Sequence, residues 1–285
     1  MTLDVRIHTD LPIIETHQHL SERYRTDRTF GWAGNHIENI LGAMAASHVV
    51  SAILQPLGGA VDPLAVHRQI AEAMDRYPGH FFGIASLNIK EHGEDRVRQE
   101  LETCVNTFGF VGIKLHGFSH GFSPNSPLGR VYFEAASALG VPLMGCVGAH
   151  GMPFTHPGLY ADMAQEYPDV KIIFAHLDYP IAEVAISLAR RAPNIYLSSS
   201  LSIPAYLRLA LEQCGPEKLM LASEDSDSIP AEIAKFAAIG ATEAQLEQML
   251  CRTPLEVFNL RGRVASAPPV AAPAPMRREA GFVAG

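Results

Sequence analysis

The sequence predicts a (β/α)8 barrel, and three observations carry the expectation. The chain has 285 residues with 47% hydrophobic content, slightly more than the length of one barrel of about 250 residues. Eight short apolar runs alternate with segments of helical spacing. In nearly every run the apolar residues come first and the polar ones gather at the C-terminal end, where a barrel builds its active site.

The runs are PIIETHQH (12–19), VSAILQPL (50–57), FFGIASLN (81–88), FVGIKLHG (110–117), VPLMGCVG (141–148), KIIFAHLD (171–178), IYLSSS (195–200) and KLMLASED (218–225). A buried parallel strand is covered on both faces, so continuous apolar stretches replace strict alternation. Between them, DPLAVHRQIAEAMDRY (62–77), GRVYFEAASALG (129–140) and YADMAQEY (160–167) have helical spacing and end near Gly or Pro. Alternation alone would also suit a doubly wound sheet. Such a sheet gathers its ligand contacts at one switch point, usually behind a Gly-rich phosphate loop, and no G-x-G-x-x-G follows the first run. A helical pattern over 241–262 is expected to pack across the barrel as its last element. One domain, residues 1–263, is therefore predicted. Residues 264–285 are rich in Ala and Pro without a period and read as a disordered tail.

The net charge of −8 is spread along the chain, and the basic residues form no stripe that could neutralise phosphates. Nucleic acid is not an expected partner. Cys104, Cys146, Cys214 and Cys251 lie far apart without C-x-x-C spacing, which argues for reduced thiols rather than a disulfide framework. The opening MTLDVRIHTD carries charges where a signal peptide needs an apolar run. No stretch of about 18 apolar residues follows to span a membrane. The expectation is a cytoplasmic protein acting on a small molecule, with self-association left open.

Residues two apart on a strand point to the same side, so His17 and His19 should both project from the first strand into the barrel mouth. Two imidazoles held so close form half of a metal site, and a catalytic zinc typically takes three protein ligands and keeps one open position. Further candidates end the other strands: Lys114 and His116 on the fourth, Cys146 on the fifth, His176 and Asp178 on the sixth, and Glu224 with Asp225 on the eighth. The loops 117–130 and 150–158 follow the fourth and fifth strands and add Arg130, His150 and His156. Arg130 and His150 are candidate substrate contacts, as is His116, because loops at this end of a barrel commonly set specificity.

The run PIIETHQHL resembles the opening I-D-x-H-x-H of the amidohydrolase superfamily. The branch it resembles contains amidohydrolase-related hydrolases, lactonases and the aminocarboxymuconate-semialdehyde and resorcylate-type decarboxylases. FVGIKLHGF is similar to that branch's G-x-K-L-H-P segment, KIIFAHLDYP to its sixth-strand "aHlGg" segment, and APNIYLSSS to its seventh-strand "pNvyldtS" segment. Together the likenesses cover about residues 12–260.

The departures matter as much. Glu15 stands where the family usually has Asp, and Cys146 where it usually has a histidine ligand. A thiolate can itself ligate zinc, His150 could reach back from the loop, or Cys146 could be an inert thiol and the ligand lost. MLASEDS lies over the family's "lfGSDyP", which puts Glu224 at the essential aspartate with Asp225 one residue on. Neighbouring strand residues point opposite ways, so only one of these can face the barrel without local distortion. Glu224 is the favoured one.

The resemblance implies a divalent metal held by His17, His19 and some of Cys146, His176 and Glu224. Zinc is expected, manganese and iron are the alternatives, and a metal-independent reaction is left open. The eighth-strand carboxylate would take a proton from the attacking water while His176 helps to polarise the substrate. Lys114 either pairs with a substrate carboxylate or is a charge exposed at the rim. The leading expectation is hydrolysis of a C–N or C–O bond in a small carbonyl compound. Non-oxidative decarboxylation of an aromatic or unsaturated acid comes next, then a metal-independent lactonase. A barrel that has lost catalysis and serves as a binding protein is the alternative from another class.

Overall fold

The computed structural model describes residues 12–21, 35–148, 151–178 and 180–270. In chain order, the first half runs β1 (Ile13–Leu20), α1 (Ile37–Ala46), β2 (Val49–Pro56), α2 (Pro63–Arg76), β3 (Phe81–Ala85), α3 (Ile89–His92), α4 (Glu94–Asn106) and β4 (Gly112–Leu115). Then come α5 (Gly117–His120), α6 (Pro127–Leu139), β5 (Leu143–Cys146), α7 (Ala161–Glu166), β6 (Ile172–Ala175), α8 (Ala182–Arg191), β7 (Ile195–Ser198) and α9 (Pro204–Cys214). The chain finishes with β8 (Leu219–Met220), α10 (Ile229–Ala238), α11 (Glu243–Glu247) and α12 (Thr253–Val257). Each of the eight apolar runs overlaps one strand.

The strands pair in parallel in the order β1 to β8. Three backbone bonds then join the segment that continues β8 to β1: Thr16 N–H to Leu221 O at 3.0 Å, Glu224 N–H to His17 O at 2.8 Å and His19 N–H to Glu224 O at 2.9 Å. The eight-stranded sheet thus curls into a barrel, as the sequence predicts.

Strand alternation builds two cores. Ile14, Ile53, Phe82, Ile84, Met144, Ile173, Ala175 and Met220 fill the barrel interior with Val257, Phe258 and Leu260. The other strand face, including Leu54, Phe81, Ile113, Leu143, Phe174 and Leu197, packs against the helices. Lys171 Nζ–H donates to Glu256 O at 2.7 Å and Arg263 stacks over the Phe82 ring, so the end of the chain closes the N-terminal mouth of the barrel. A π-helical stretch, Gln248–Arg252, links α11 to α12. The expected helical element over 241–262 therefore lies across the barrel bottom.

Helix ends follow local chemistry. Asp62 accepts the Ala65 N–H and Pro63 opens α2, while Ser126 and Pro127 do the same for α6, which stops at Gly140 with φ 65°. Beyond residue 263 the chain stays attached for a few residues: Val264 packs against the interior cluster and Ala265 N–H donates to Gly79 O at 3.0 Å. The remainder of the expected tail, from residue 271, lies outside the described residues. No helix among the described residues is long and apolar enough to cross a membrane.

Candidate active site

The bottom of the barrel is plugged with apolar side chains, so the polar strand ends converge at the other mouth. His17 and His19 share one side of β1, with their Nε2 atoms 3.1 Å apart. That orientation needs help from the backbone. Ile14 faces the interior, and the β1–β2 register slips between Glu15 and Gln18. The slip brings residue 17 in phase with the barrel axis. Glu15 folds back there, accepting the His17 N–H at 3.0 Å and the Ser223 N–H at 2.8 Å. The carboxylate so ties β1 to β8 directly below the histidines. Burial pushes its pKa up to about 8, against the pull of those donors.

His176 and Glu224 reach the same point through strained backbone. Ile173 and Ala175 are interior residues, so strict alternation would turn residue 176 toward the helices. A left-handed conformation, φ 81°, swings His176 inward, and Glu224 is also left-handed at φ 72°. Non-glycine residues adopt this region at a cost, and such strain concentrates at functional sites. Asp225 turns away. Its carboxylate caps the 3-10 turn Ser226–Ser228 by accepting the Ser228 N–H at 2.9 Å. Only Glu224 joins the cluster, which corrects the expectation that kept Asp225 as a competitor.

The Glu224 carboxylate lies 3.1 Å from His17 Nδ1, 3.3 Å from His19 Nε2 and 3.2 Å from His176 Nδ1. Burial raises its pKa, but the His17 and His176 rings outweigh that and hold it well below the usual carboxylate range. Burial pushes the pKa values of His17 and His19 down, which favours the neutral rings whose lone pairs a metal needs. His19 Nδ1 donates to Pro56 O at 3.1 Å, which leaves Nε2 as the lone-pair nitrogen facing the cluster. Burial also lowers His176, yet Glu224 more than compensates and its pKa rises to about 10.

One observation tests whether this set suits a metal ion. His17 Nδ1 and Glu224 Oε1 are buried and close, yet neither makes a hydrogen bond. Buried polar atoms normally find partners. With His176 they present ligand atoms within 4.8 Å of one another. Imidazole and carboxylate donors converging on one point suit zinc, manganese or iron.

The other expected residues take varied places. Lys114 is 1% exposed rather than at the rim, with Nζ 3.1 Å from His17 Nε2, and burial lowers its pKa. Cys146 is also buried, but it stands outside the group of convergent ligand atoms and bonds to His116 and His176. Burial pushes its thiol up, and those two rings outweigh this and pull it well below the ordinary range. His116 Nδ1 accepts the Ser119 N–H at 3.2 Å. Its ring fills the space beside Gly58, where a Cβ would come within 2.7 Å. Arg130 does not reach the site: it pairs with Glu166 across α6 and α7, because α6 carries it to the outer layer of helices. His156 accepts the Gly158 N–H at 3.1 Å, a local turn contact, Asp178 is buried, and His150 lies outside the described residues.

Three residues escaped the sequence reading. Ser200 Oγ sits 3.0 Å from His176 Nδ1, and Ser198 Oγ accepts the His176 N–H at 3.3 Å. Gln55, fully buried at the end of β2, pairs in register with His19. The signal that singled out the histidines, a polar residue ending an apolar run, was present in all three.

Residues 14–260 match the amidohydrolase family. The chain belongs to that family. A curated relative, the gamma-resorcylate decarboxylase of Rhizobium radiobacter, is 39% identical over 59 residues, a match that spans 21% of this chain and 17% of that protein. Among solved structures, a 2,6-dihydroxybenzoate decarboxylase with bound 2,6-dihydroxybenzoate superposes with a TM-score of 0.70 at 18% identity, covering 88% of this chain and all of the other. A dihydroxybenzoic acid decarboxylase of Polaromonas sp. JS666, with manganese and 2-nitroresorcinol bound, gives a TM-score of 0.69 at 17% identity over 88% and 98% of the two chains. At this identity the structural likeness of the amidohydrolase-family chain speaks for its barrel fold.

Proposed function

We propose that this amidohydrolase-family barrel is a metal-dependent, non-oxidative decarboxylase of a small aromatic acid. The observation that carries the reading is Lys114. Its ammonium is buried and bonds to a ring nitrogen of His17 rather than to a carboxylate, while the charges of Cys146 and Glu224 act on it without a direct hydrogen bond. A buried cation is costly unless paired, and a substrate carboxylate would complete it. The decarboxylases named above lend independent support, and they favour this chemistry over the hydrolysis expected from the sequence.

His17, His176 and Glu224 would hold a divalent ion, with His19 beside them. The ion would supply a positive charge that polarises and orients the substrate's oxygens. Lys114 binds the carboxylate and the low-dielectric mouth excludes water, so the charge is moved off a solvated group before the C–C bond breaks. Carbon dioxide leaves, its bonding electron pair stays on the ring carbon, and a proton from the Lys114 ammonium replaces it. The amine is then reprotonated from solvent. Four free thiols suit a reducing, intracellular setting for this reaction.

Purified protein loaded with manganese or zinc, incubated with 2,6-dihydroxybenzoate in deuterium oxide, is expected to release carbon dioxide and place one deuterium on the product ring. Lys114→Met should lower kcat/KM by about 10³-fold while metal content stays near one per chain. Turnover of lactones or amides without carbon dioxide would overturn decarboxylation in favour of hydrolysis, with Glu224 as the base that takes a proton from water.

A further inference from the structure

The seam between β1 and β8, which carries His17, His19 and Glu224, is fastened by a side chain from outside both strands. Asn35 is buried and stands just before α1. Its Nδ2 donates to His19 O at 2.8 Å and to Gln18 Oε1 at 3.1 Å, while its Oδ1 accepts the Ser226 N–H at 3.3 Å. Its backbone is held as well: the Asn35 N–H donates to Ser21 Oγ at 3.1 Å, and its carbonyl accepts the Ser21 N–H at 3.0 Å. One carboxamide thus bridges the end of β1 and the turn that follows Glu224. The backbone partners fix its orientation, because the His19 carbonyl can only accept and the Ser226 N–H can only donate.

Glu224 needs such a tie. Its left-handed conformation persists only where the surroundings over-determine it. The backbone of Glu224 is bonded on both sides to β1, through His17 O and the His19 N–H. Regular pairing stops there: Gln18 and Glu224 form an isolated bridge, and Asp225 turns off into the 3-10 turn. Two residues beyond Glu224, Asn35 catches the Ser226 N–H, so the strained residue is also gripped from its C-terminal side. Metal ligands must stay within about 0.5 Å of their productive positions, and slack in this turn would reach the carboxylate. Asn194 shows the same side chain used for the fold alone. Its Nδ2 bonds the carbonyls of Ala164, Tyr167 and Val170 at the start of β7, at the opposite mouth of the barrel.

We propose that Asn35 is a positioning residue for the metal: by clamping the end of β1 to the turn after Glu224, it sets the spacing between the histidine pair and the Glu224 carboxylate, and with it the affinity for a divalent ion. This inference rests on the reading of His17, His176 and Glu224 as metal ligands. Asn35 bonds to no ligand side chain and acts through the His19 carbonyl and the Ser226 amide. Removing its amide leaves buried partners unsatisfied, which lowers stability in any case. Metal affinity is the quantity that a purely structural role would not move.

The test is titration with manganese, followed by the electron paramagnetic resonance of the free ion, on the wild-type protein, Asn35→Leu, Asn35→Ala and Asn194→Leu. The last variant removes a buried amide at the opposite mouth and controls for lost stability. Melting temperatures of the metal-free proteins should fall in all three variants. The manganese Kd should rise about 10-fold in the Asn35 variants and by less than about two-fold in Asn194→Leu. Wild-type affinity in both Asn35 variants overturns the inference, and so does an equal loss of affinity in Asn194→Leu. If neither Asn35 variant folds, the residue serves the fold rather than the site and the inference is lost as well. A wild-type protein that binds no manganese removes both the inference and the metal reading beneath it. Carbon dioxide release from 2,6-dihydroxybenzoate with an Asn35-independent manganese affinity would sink this inference alone. An Asn35-dependent affinity without carbon dioxide release would sink the decarboxylase reading alone.

Discussion

Two buried clusters in this barrel have nearly the same composition and opposite character. At the C-terminal mouth, His17, His176 and Glu224 converge, with Cys146 behind His176. Between α2, α4 and the end of β3 lies a second set, His67, Glu100 and Cys104, whose possible ligand atoms also fall within 4.8 Å of one another. In the second set both ring nitrogens are used. His67 Nδ1 donates to Glu100 at 2.9 Å, His67 Nε2 accepts the Ser86 N–H at 3.0 Å, and the Cys104 thiol donates to Glu100. No lone pair remains on the ring for a metal. The mouth cluster has orphaned atoms and two residues at positive φ. A histidine, an acid and a thiol together do not mark a site; unsatisfied convergent atoms held by strained backbone do.

The largest expected effect breaks the mouth cluster. Glu224→Ala should lower activity by about 10³-fold or more and reduce bound metal, measured by elemental analysis. In the closed cluster His67→Leu should cost about 2–3 kcal/mol of stability, because it strands the Ser86 N–H and the Glu100 carboxylate. Metal content should be unchanged. Loss of metal from His67→Leu, with the fold intact by circular dichroism, would show that the two sets had been assigned the wrong way round.

Much of this contrast could not be read along the chain. The eight strands were legible, because burial on both faces leaves runs of apolar residues with polar ends, and the match across residues 14–260 agrees. The pair His17 and His19 was legible for the same reason. The resemblance already favoured Glu224, but removing Asp225 as a competitor required the cap that it makes at Ser228, and a local turn preference does not announce itself in a sequence of consecutive acids. Lys114 could not be told from a rim lysine because its burial depends on closure of all eight strands. Arg130 misled because a loop next to the mouth runs straight into α6, which carries the side chain outward.

A subtler difference separates the two thiols. Burial pushes Cys104 up, helped by the Glu100 charge, whereas His116 and His176 draw Cys146 down. Cys146 stands behind His176 as an orienting partner, and groups of this kind commonly contribute about 10-fold in metal affinity. Cys146→Ser should therefore weaken metal binding by about 10-fold in a competition titration with a chelator, and Cys104→Ser should leave it unchanged. Equal affinities for all three proteins would remove Cys146 from the site.

The smallest effect separates the acids by the sign of their pH dependence. His67, by its hydrogen bond, holds the Glu100 carboxyl below its ordinary value of 4.5, with burial opposing. Its contribution to stability is present above the unfolded pKa and is lost as pH falls. Glu15 behaves oppositely. Burial raises its pKa from 4.5 to about 8, so the folded protein binds a proton there that the unfolded chain has released. That stability is complete below about pH 4.5 and disappears as pH rises through about 8. Glu15→Gln keeps an oxygen for the His17 and Ser223 N–H groups but removes the proton from the balance. Between pH 5 and 8 the wild-type melting temperature should fall relative to that of Glu15→Gln by about 2–4 °C. Glu100→Gln should show its difference only on the acidic side. A Glu15→Gln curve parallel to the wild type across this range would mean that the two N–H donors to Glu15 keep it ionised, and that the seam between β1 and β8 is held by a charge.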